Sequence, residues 1–394
     1  MRSTLRLLIL FLLLSLSPLA LADTAADITA GTIVTNARGA VVKEATDRRP
    51  KTSLLKDRGR EFYDVSLPED SACHHIYLEL VGQPVPYKVE AQDAAGLWQT
   101  VAQAEHPFAH QYFKVEGLRQ FRLSPAEPTK KAAPGEIYLY GQGERPEHIQ
   151  LWQMPEGKMD MMLIVAHPDD ELLWFGGTIP YYAGVRDKKL LNVYMAPCTD
   201  RRRTELLNGL WHSGQGIYPV LGPFRDIRAK TLQEANGAWG KGRIDRFLVG
   251  LLRQWQPDVV LTHAANGEYG HGAHKATSEG AVRAVQQAAL ASERHSESEA
   301  FGLWEVKKLY LHLGGAKGRI EMDWSAPQDR FQGRSSIEVA AESFAKHVSQ
   351  QGFNMPADDS RLTNRVFQLV HSTVGEDKLK DDFLEHVGEQ LAER

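Results

Sequence analysis

The sequence predicts an α/β protein: a Rossmann-like parallel sheet with helices on both faces, preceded by a small β-sandwich. Three observations carry this. Between Met161 and Leu313, short apolar runs alternate with helix-length amphipathic stretches, the pattern of a parallel sheet covered on both sides. From residue 24 to about 150, short alternating segments are separated by Gly, Pro and Asp clusters with no helical period, which suggests a sandwich. The chain has 394 residues, 42% of them apolar, enough to fill two cores.

The first residues stand apart from the fold. Arg2 and Arg6 flank the start of the apolar run Leu7–Leu16, and Ala20-Leu21-Ala22 supplies the small residues of a cleavage site. Residues 1–22 therefore read as a secretory signal peptide. The run is shorter than the ~20 residues a bilayer span needs. The expectation is an exported protein, periplasmic or extracellular, with no transmembrane segment in the mature chain. No Cys follows the cleavage site, so no lipoprotein anchor is expected. Removing Arg2 and Arg6 takes the formal charge from −4 to −6, which argues against the basic stripe of a nucleic-acid surface. Cys73 and Cys198 are the only cysteines. Export permits a disulfide, but two cysteines do not establish one.

In order along the chain, residues 23–152 hold the strand-like segments Ile76–Leu80, Tyr87–Glu90, Tyr112–Val115 and Ile137–Tyr140. Residues 153–330 form the α/β unit. Its strands are Met161–Ala166, Leu190–Met195, Tyr218–Leu221, Val259–Thr262 and Val306–Leu313. Its helices are Glu171–Ala183, Arg203–Trp211, Ile244–Trp255 and Lys275–Leu290, and Pro257 stops the third of them. Residues 331–394 read as a helical C-terminal extension packed on this unit, with helices Ser336–Gln350 and Asp377–Leu391. Ser292–Glu299 is a low-complexity patch of loop character. Ligands of such sheets bind beyond the carboxyl ends of the strands, and two polar motifs sit there.

The first strand runs into His167-Pro168-Asp169-Asp170-Glu171. His167 and Asp170 are three apart across a strand-to-helix turn, so both can face one point while Asp169 points elsewhere. A catalytic zinc takes three N or O ligands and keeps one position for water, and a neighbouring carboxylate can take that water's proton. Asp is also a common helix cap, so this pentapeptide alone leaves a plain polar loop open. Glu171 has two readings: a partner of the His167 ring, or an acid favouring the helix N-terminus. The second motif leaves the strand ending at Thr262-His263 and continues through Asn266-Gly267-Glu268-Tyr269-Gly270-His271-Gly272-Ala273-His274. It can add the third ligand from across the sheet, and the two motifs together point to a metal site.

These motifs resemble the PIG-L/LmbE-like family of zinc-dependent N-acetylglucosaminyl de-N-acetylases, best over residues 158–290 and more loosely over Ser336–Gln350 and Phe367–Phe383. The resemblance implies Zn²⁺ held by His167, Asp170 and His274, with Asp169 as general base. It implies that His271, as an imidazolium, stabilises the oxyanion or protonates the leaving amine, and that Tyr269 polarises the amide carbonyl. Iron(II) accepts the same ligand set. The family commonly writes the loop as His-Pro-Asp-His, whereas this chain has Ala273 in place of the Asp. Either another carboxylate, such as Glu268, takes over beside His271, or the acid role of His271 is weaker.

Arg202 and Glu205 match the family's Arg-x-x-Glu at a helix start. Arg202 can clamp a phosphate or carboxylate, or simply belong to a solvated basic turn. Asp226 resembles the family Asp that bonds sugar hydroxyls. Trp174 and Trp211 read as core, and Trp239, placed in a loop, as the better sugar-stacking platform. The N-terminal sandwich loosely resembles a discoidin or galactose-binding-like module, which implies glycan binding; a packing role is the alternative. Ser53-Leu54-Leu55-Lys56 has the Ser-x-x-Lys form without any partner motif and reads as chance. The expected function is secreted de-N-acetylation of an N-acetylglucosamine-containing glycan or glycoconjugate. A zinc amidase on another N-acyl substrate and a degenerate carbohydrate-binding protein are the alternatives. The glycan and the oligomeric state are not legible in the sequence.

Overall fold

A computed structural model of the protein describes residues 23–49, 57, 60–129, 132–196, 199–291, 299–352, 354–356 and 360–388. Residues 1–22, read above as a signal peptide, the Ser53–Lys56 motif, Cys198 and residues 292–298 lie outside them. Among the described residues, no helix is long and apolar enough to cross a membrane.

The N-terminal strands are β1 (Ile33–Asn36), β2 (Tyr63–Ser66), β3 (Cys73–Gly82), β4 (Tyr87–Gln92), β5 (Trp98–Gln103), β6 (His110–Leu118), β7 (Gln120–Pro125) and β8 (Ala132–Tyr140). They form two antiparallel sheets, ordered β1-β2-β7-β4-β5 and β6-β3-β8. Period-2 patterning explains the burial: in β2, Tyr63 and Val65 are buried while Asp64 and Ser66 are half-buried. The inward residues of both sheets share one cluster that includes Val65, Ile76, Leu78, Val89, Phe121 and Ile137. Cys73 belongs to it, and burial pushes its thiol up to about 12. That environment suits an inert packing group.

The second unit contains β9 (Met161–Val165), β10 (Leu190–Tyr194), β11 (Val220–Leu221), β12 (Val259–Thr262), β13 (Lys308–His312), β14 (Arg319–Glu321) and β15 (Val366–Ser372). Its helices are α1 (Asp170–Leu173), α2 (Asp200–His212), α3 (Leu232–Trp239), α4 (Lys241–Trp255), α5 (Gly272–Ala288) and α6 (Ser336–Phe344). The sheet order is β11-β10-β9-β12-β13-β15-β14. The first five strands are parallel. The chain steps outward from β9 to β11, then restarts at β12 on the other side, so a crevice opens between the ends of β9 and β12. Met161, Leu163 and Val165 pack with Leu206 of α2 and Phe344 of α6. Met162 and Ile164 pack on the other face with Trp239, Leu248 and Ala281 of α3, α4 and α5. Burial on both faces is why β9 is apolar throughout.

Three expectations change. The segment after Arg330 is not only a helical extension: β15 enters the sheet antiparallel to both β13 and β14. The residues from Asp377 to Gly388 are turns rather than a helix. Their carboxylates bond elsewhere: Asp377 takes Lys308 Nζ and the Tyr310 hydroxyl, and Glu385 accepts the backbone N–H of Lys378, Leu379 and Lys380. The helix expected from Glu171 to Ala183 stops at Leu173 and resumes as a π-helical turn at Pro180–Val185. Gly176, at φ 49°, and Gly177 break it. A Cβ on them would come within 2.9 Å of Asn364 and 2.8 Å of Trp324, so close packing there requires glycine.

The two units are bolted together at the start of α2. Arg203 donates to the carbonyls of Gly82 (2.7 Å) and Leu80 (3.2 Å), and Asp200 accepts the Gly82 N–H at 3.0 Å. The end of β3 thus fixes the helix that carries Arg202.

Candidate metal centre and catalytic site

Everything converges where β9 and β12 end. After β9 the backbone turns sharply, with Asp169 at φ 103°. A non-glycine residue there carries about 1–3 kcal/mol of strain. Its N–H donates to Glu171 Oε2 at 2.8 Å, which holds the turn. The turn folds Asp170 back onto His167, whose backbone N–H donates to Asp170 Oδ2 at 2.8 Å. His167 Nδ1 lies 3.3 Å from Asp170 Oδ2, and His274 Nε2 lies 3.4 Å from Asp170 Oδ1. Donors about 2.0–2.1 Å from a tetrahedral zinc would stand about 3.3 Å apart. His274 Nε2 is buried without a hydrogen-bond partner among the described residues. An orphaned nitrogen beside a buried carboxylate is what a cation site leaves when only the protein is considered. The set His167, Asp170 and His274 therefore fits a zinc-type ion.

The histidine tautomers support this choice. Glu268, fully buried, accepts His263 Nδ1 (2.7 Å), His274 Nδ1 (2.7 Å), His312 Nδ1 (2.6 Å) and the Ala264 N–H (3.0 Å). With its Nδ1–H committed to a carboxylate, His274 presents a lone pair at Nε2. His263 is equally close to Asp170, at 3.4 Å, but its Nε2 accepts the Ala166 N–H at 2.9 Å. Both of its nitrogens are spent, so it braces the site rather than ligating. Burial alone would raise the Asp170 and Glu268 carboxyls. The imidazoles of His274 and His263 around Asp170, and of His263, His274 and His312 around Glu268, outweigh it and hold both well below the usual range.

Asp169 behaves oppositely. Burial and the adjacent Asp170 push its carboxyl well above the ordinary value, against the pull of Arg202. Arg202 donates to the Pro168 carbonyl at 2.5 Å and lies 3.4 Å from Asp169 Oδ1. Asp226 completes the rim, 3.5 Å from both His167 Nε2 and the Arg202 guanidinium. His271 stands with its ring 5.1 Å from that of His167 and 4.8 Å from that of His274. Burial and those two imidazoles push it down to about 4. Tyr269, 57% exposed, stacks on His271 at 5.7 Å and stands at the open side.

Several sequence expectations are redirected. Glu268 does not stand in for the missing Asp beside His271; it serves His274, His263 and His312. Glu171 does not bond the His167 ring; it sits in the first turn of α1, the second of its two readings, where it accepts the Asp169 N–H, and its other oxygen faces His347. Trp239 is not a platform. It ends α3, is 1% exposed, and donates Nε1–H to the Arg225 carbonyl at 2.9 Å. Trp174 is buried as expected, but its Nε1–H also donates to Asp170 Oδ1 at 2.9 Å, which makes it part of the site. Sequence reasoning missed His263, His312 and His347. The motif ends flag His263 by adjacency; the other two lie on distant elements with no local signature.

A family model described as PIG-L: GlcNAc-PI de-N-acetylase matches residues 162–285, the span from β9 to α5. A 1D-myo-inositol 2-acetamido-2-deoxy-alpha-D-glucopyranoside deacetylase of Rhodococcus opacus (strain B4) is 30% identical over 186 residues, 38% of this chain and 60% of that protein. The enzyme of the same name from Rhodococcus jostii (strain RHA1) is 27% identical over 268 residues, 53% of this chain and 88% of that one. The chain spans 60% and 56% of the length of the first curated relatives it matches. Among solved structures, N,N'-diacetylchitobiose deacetylase from Pyrococcus horikoshii overlays with a TM-score of 0.36 at 19% identity, covering 49% of this chain and 71% of that one. The conserved protein TT1542 from Thermus thermophilus does so with a TM-score of 0.36 at 20% identity, covering 49% and 80%. Residues 162–285 thus form a PIG-L family domain, and the relatives it matches are deacetylases.

Proposed function

We propose that the protein is a zinc-dependent de-N-acetylase that hydrolyses the acetamide of an N-acetylglucosamine-containing glycan or glycoconjugate. The observation that carries this is the buried set His167, Asp170 and His274, spaced 3.3 and 3.4 Å apart with His274 Nε2 left without a partner, beside the buried Asp169 carboxyl. A zinc ion bound there supplies Lewis acidity and acidifies a water. Asp169 accepts the proton as the acetamide carbon is attacked, and its raised pKa lets it keep that proton. The Tyr269 hydroxyl donates to the amide oxygen as negative charge develops there. Asp169 then returns the proton to the departing amine. His271, held neutral by its surroundings, serves as a hydrogen-bond donor to the oxygen rather than as the acid. Arg202 holds Asp169 in place, and Asp226, open to solvent, is placed to accept sugar hydroxyls. The products are acetate and a free amino sugar.

The leader-like residues 1–22 favour an exported setting and therefore a polymeric or cell-surface glycan. Residues 23–152 are read as the β-sandwich module. A second reading, that this module also holds glycan, has one observation behind it. A cleft of about 1440 Å³ lies between Tyr138 and Arg145 on its side and Trp211 and Arg334 on the other, the kind of inter-domain position ligands prefer.

The test is acetate release from N-acetylglucosamine conjugates and chitooligosaccharides by zinc-loaded protein beside Asp169→Ala. Release by wild type alone supports the proposal. Stoichiometric zinc without release from any of these substrates directs attention to other N-acyl amides.

A further inference from the structure

The C-terminal segment reaches back to the turn that carries Asp169. His347 follows α6, is fully buried, and presents Nε2 3.4 Å from Glu171 Oε1. Neither ring nitrogen of His347 has a hydrogen-bond partner among the described residues, and Glu171 Oε1 has none either. Glu171 is itself fully buried, and its second oxygen accepts the Asp169 N–H at 2.8 Å. A buried carboxylate with one unsatisfied oxygen is unstable unless a donor faces it, and the imidazole is what faces it here. The ring is held in place from α2. A Cβ on Gly209 would stand 3.1 Å from His347 Nε2. Ser343 accepts the Ser213 hydroxyl at 2.7 Å, and Ser349 donates its N–H to Glu205 at 3.0 Å. The first turn of the same helix carries Arg202, which grips the front of the turn at Pro168 and Asp169.

We propose that His347 is a positioning residue for Asp169, acting through Glu171: its ring N–H fixes the Glu171 carboxylate, which fixes the left-handed Asp169 backbone. The inference rests on the reading of Asp169 as proton acceptor. It makes residues beyond the PIG-L match part of the working site. The strained φ of Asp169 can relax once its N–H is released, and its carboxyl then leaves the reacting position.

The test compares His347→Leu, His347→Gln and His347→Asn in the full zinc-loaded chain. Gln places an amide N–H near the position of Nε2, whereas Asn places it near Nδ1. His347→Leu is expected to lower kcat by about 10- to 100-fold with KM and zinc stoichiometry unchanged. His347→Gln should restore most of the loss and His347→Asn should not. Amide exchange at Asp169 should accelerate in the Leu and Asn variants and stay protected in Gln, a readout independent of catalysis. Glu171→Gln should lose a similar factor, and adding His347→Leu to it should lose little more. Equal kcat in wild type and His347→Leu, equal damage in Gln and Asn, or losses that multiply in the double variant would each overturn the inference. If the Leu variant does not fold, the Gln and Asn pair decides alone. An inactive wild type whose Asp169 protection still follows this order would defeat the deacetylase reading while leaving the His347 linkage intact.

Discussion

Glu268→Gln is the sharpest perturbation of the site, because it keeps shape while removing charge and one acceptor. Oε2 takes His263 Nδ1 and His274 Nδ1, and Oε1 takes His312 Nδ1 and the Ala264 N–H. Whichever way the amide turns, two buried N–H groups meet an NH₂. Each stranded donor costs about 1–3 kcal/mol, so the folded state should lose about 2–6 kcal/mol, a large share of the ~5–15 kcal/mol typical of a domain. The ligand His274 suffers when the NH₂ takes the place of Oε2, the oxygen it shares with His263. With NH₂ opposite its Nδ1, the ring relaxes by moving its proton to Nε2, where the metal lone pair was. Zinc affinity should therefore fall about 10- to 100-fold. Competition against a chromophoric chelator measures this, with a thermal melt alongside. A variant that melts normally and binds zinc as tightly as wild type would refute the tautomer argument and the assignment of His274 as a ligand.

Other perturbations separate the roles. Asp169→Asn should retain zinc and lose about 10²- to 10⁴-fold in kcat, read by acetate release. Arg202→Met removes a guanidinium 3.4 Å from Asp169. The base must be ionised to act, and losing a nearby cation raises its pKa, so the acid limb of kcat/KM should move up by about 1–3 pH units; an unmoved limb would mean that another group titrates there. Trp239→Ala should destabilise by about 3–5 kcal/mol, as a buried aromatic does, while KM at permissive temperature stays unchanged, in contrast to a sugar platform. Dialysis against a strong chelator should abolish acetate release, and stoichiometric zinc should restore it.

The residues' own patterning made much of this legible. β9 and β12 are short runs of buried apolar residues, and such runs suit central strands of a doubly covered sheet. The polar motifs at their ends then fall at the crevice by topology, and the family resemblance is what singled out His167, Asp170 and His274 among them. Period marked α2 from Arg203, while its first turn, capped by Thr199 accepting the Arg202 N–H, came only with the structure. Period failed where long-range packing overruled it. The stretch after Glu171 reads as helix until two glycines must admit Trp324 and Asn364. The C-terminal tail reads as helix until its carboxylates are taken by Lys308, Tyr310 and backbone N–H groups.

The strands of the parallel sheet and the two motifs are thus written in the chain itself, because each depends on neighbours within a few residues. Which atoms those residues face is a product of the folded arrangement. Packing turned Trp239 inward, assigned Glu268 to three histidines instead of to His271, and brought His312 and His347 to the site from elements far along the chain. Hydrogen-bond partners across a fold are set by the packing of whole elements, and no spacing along the chain encodes them.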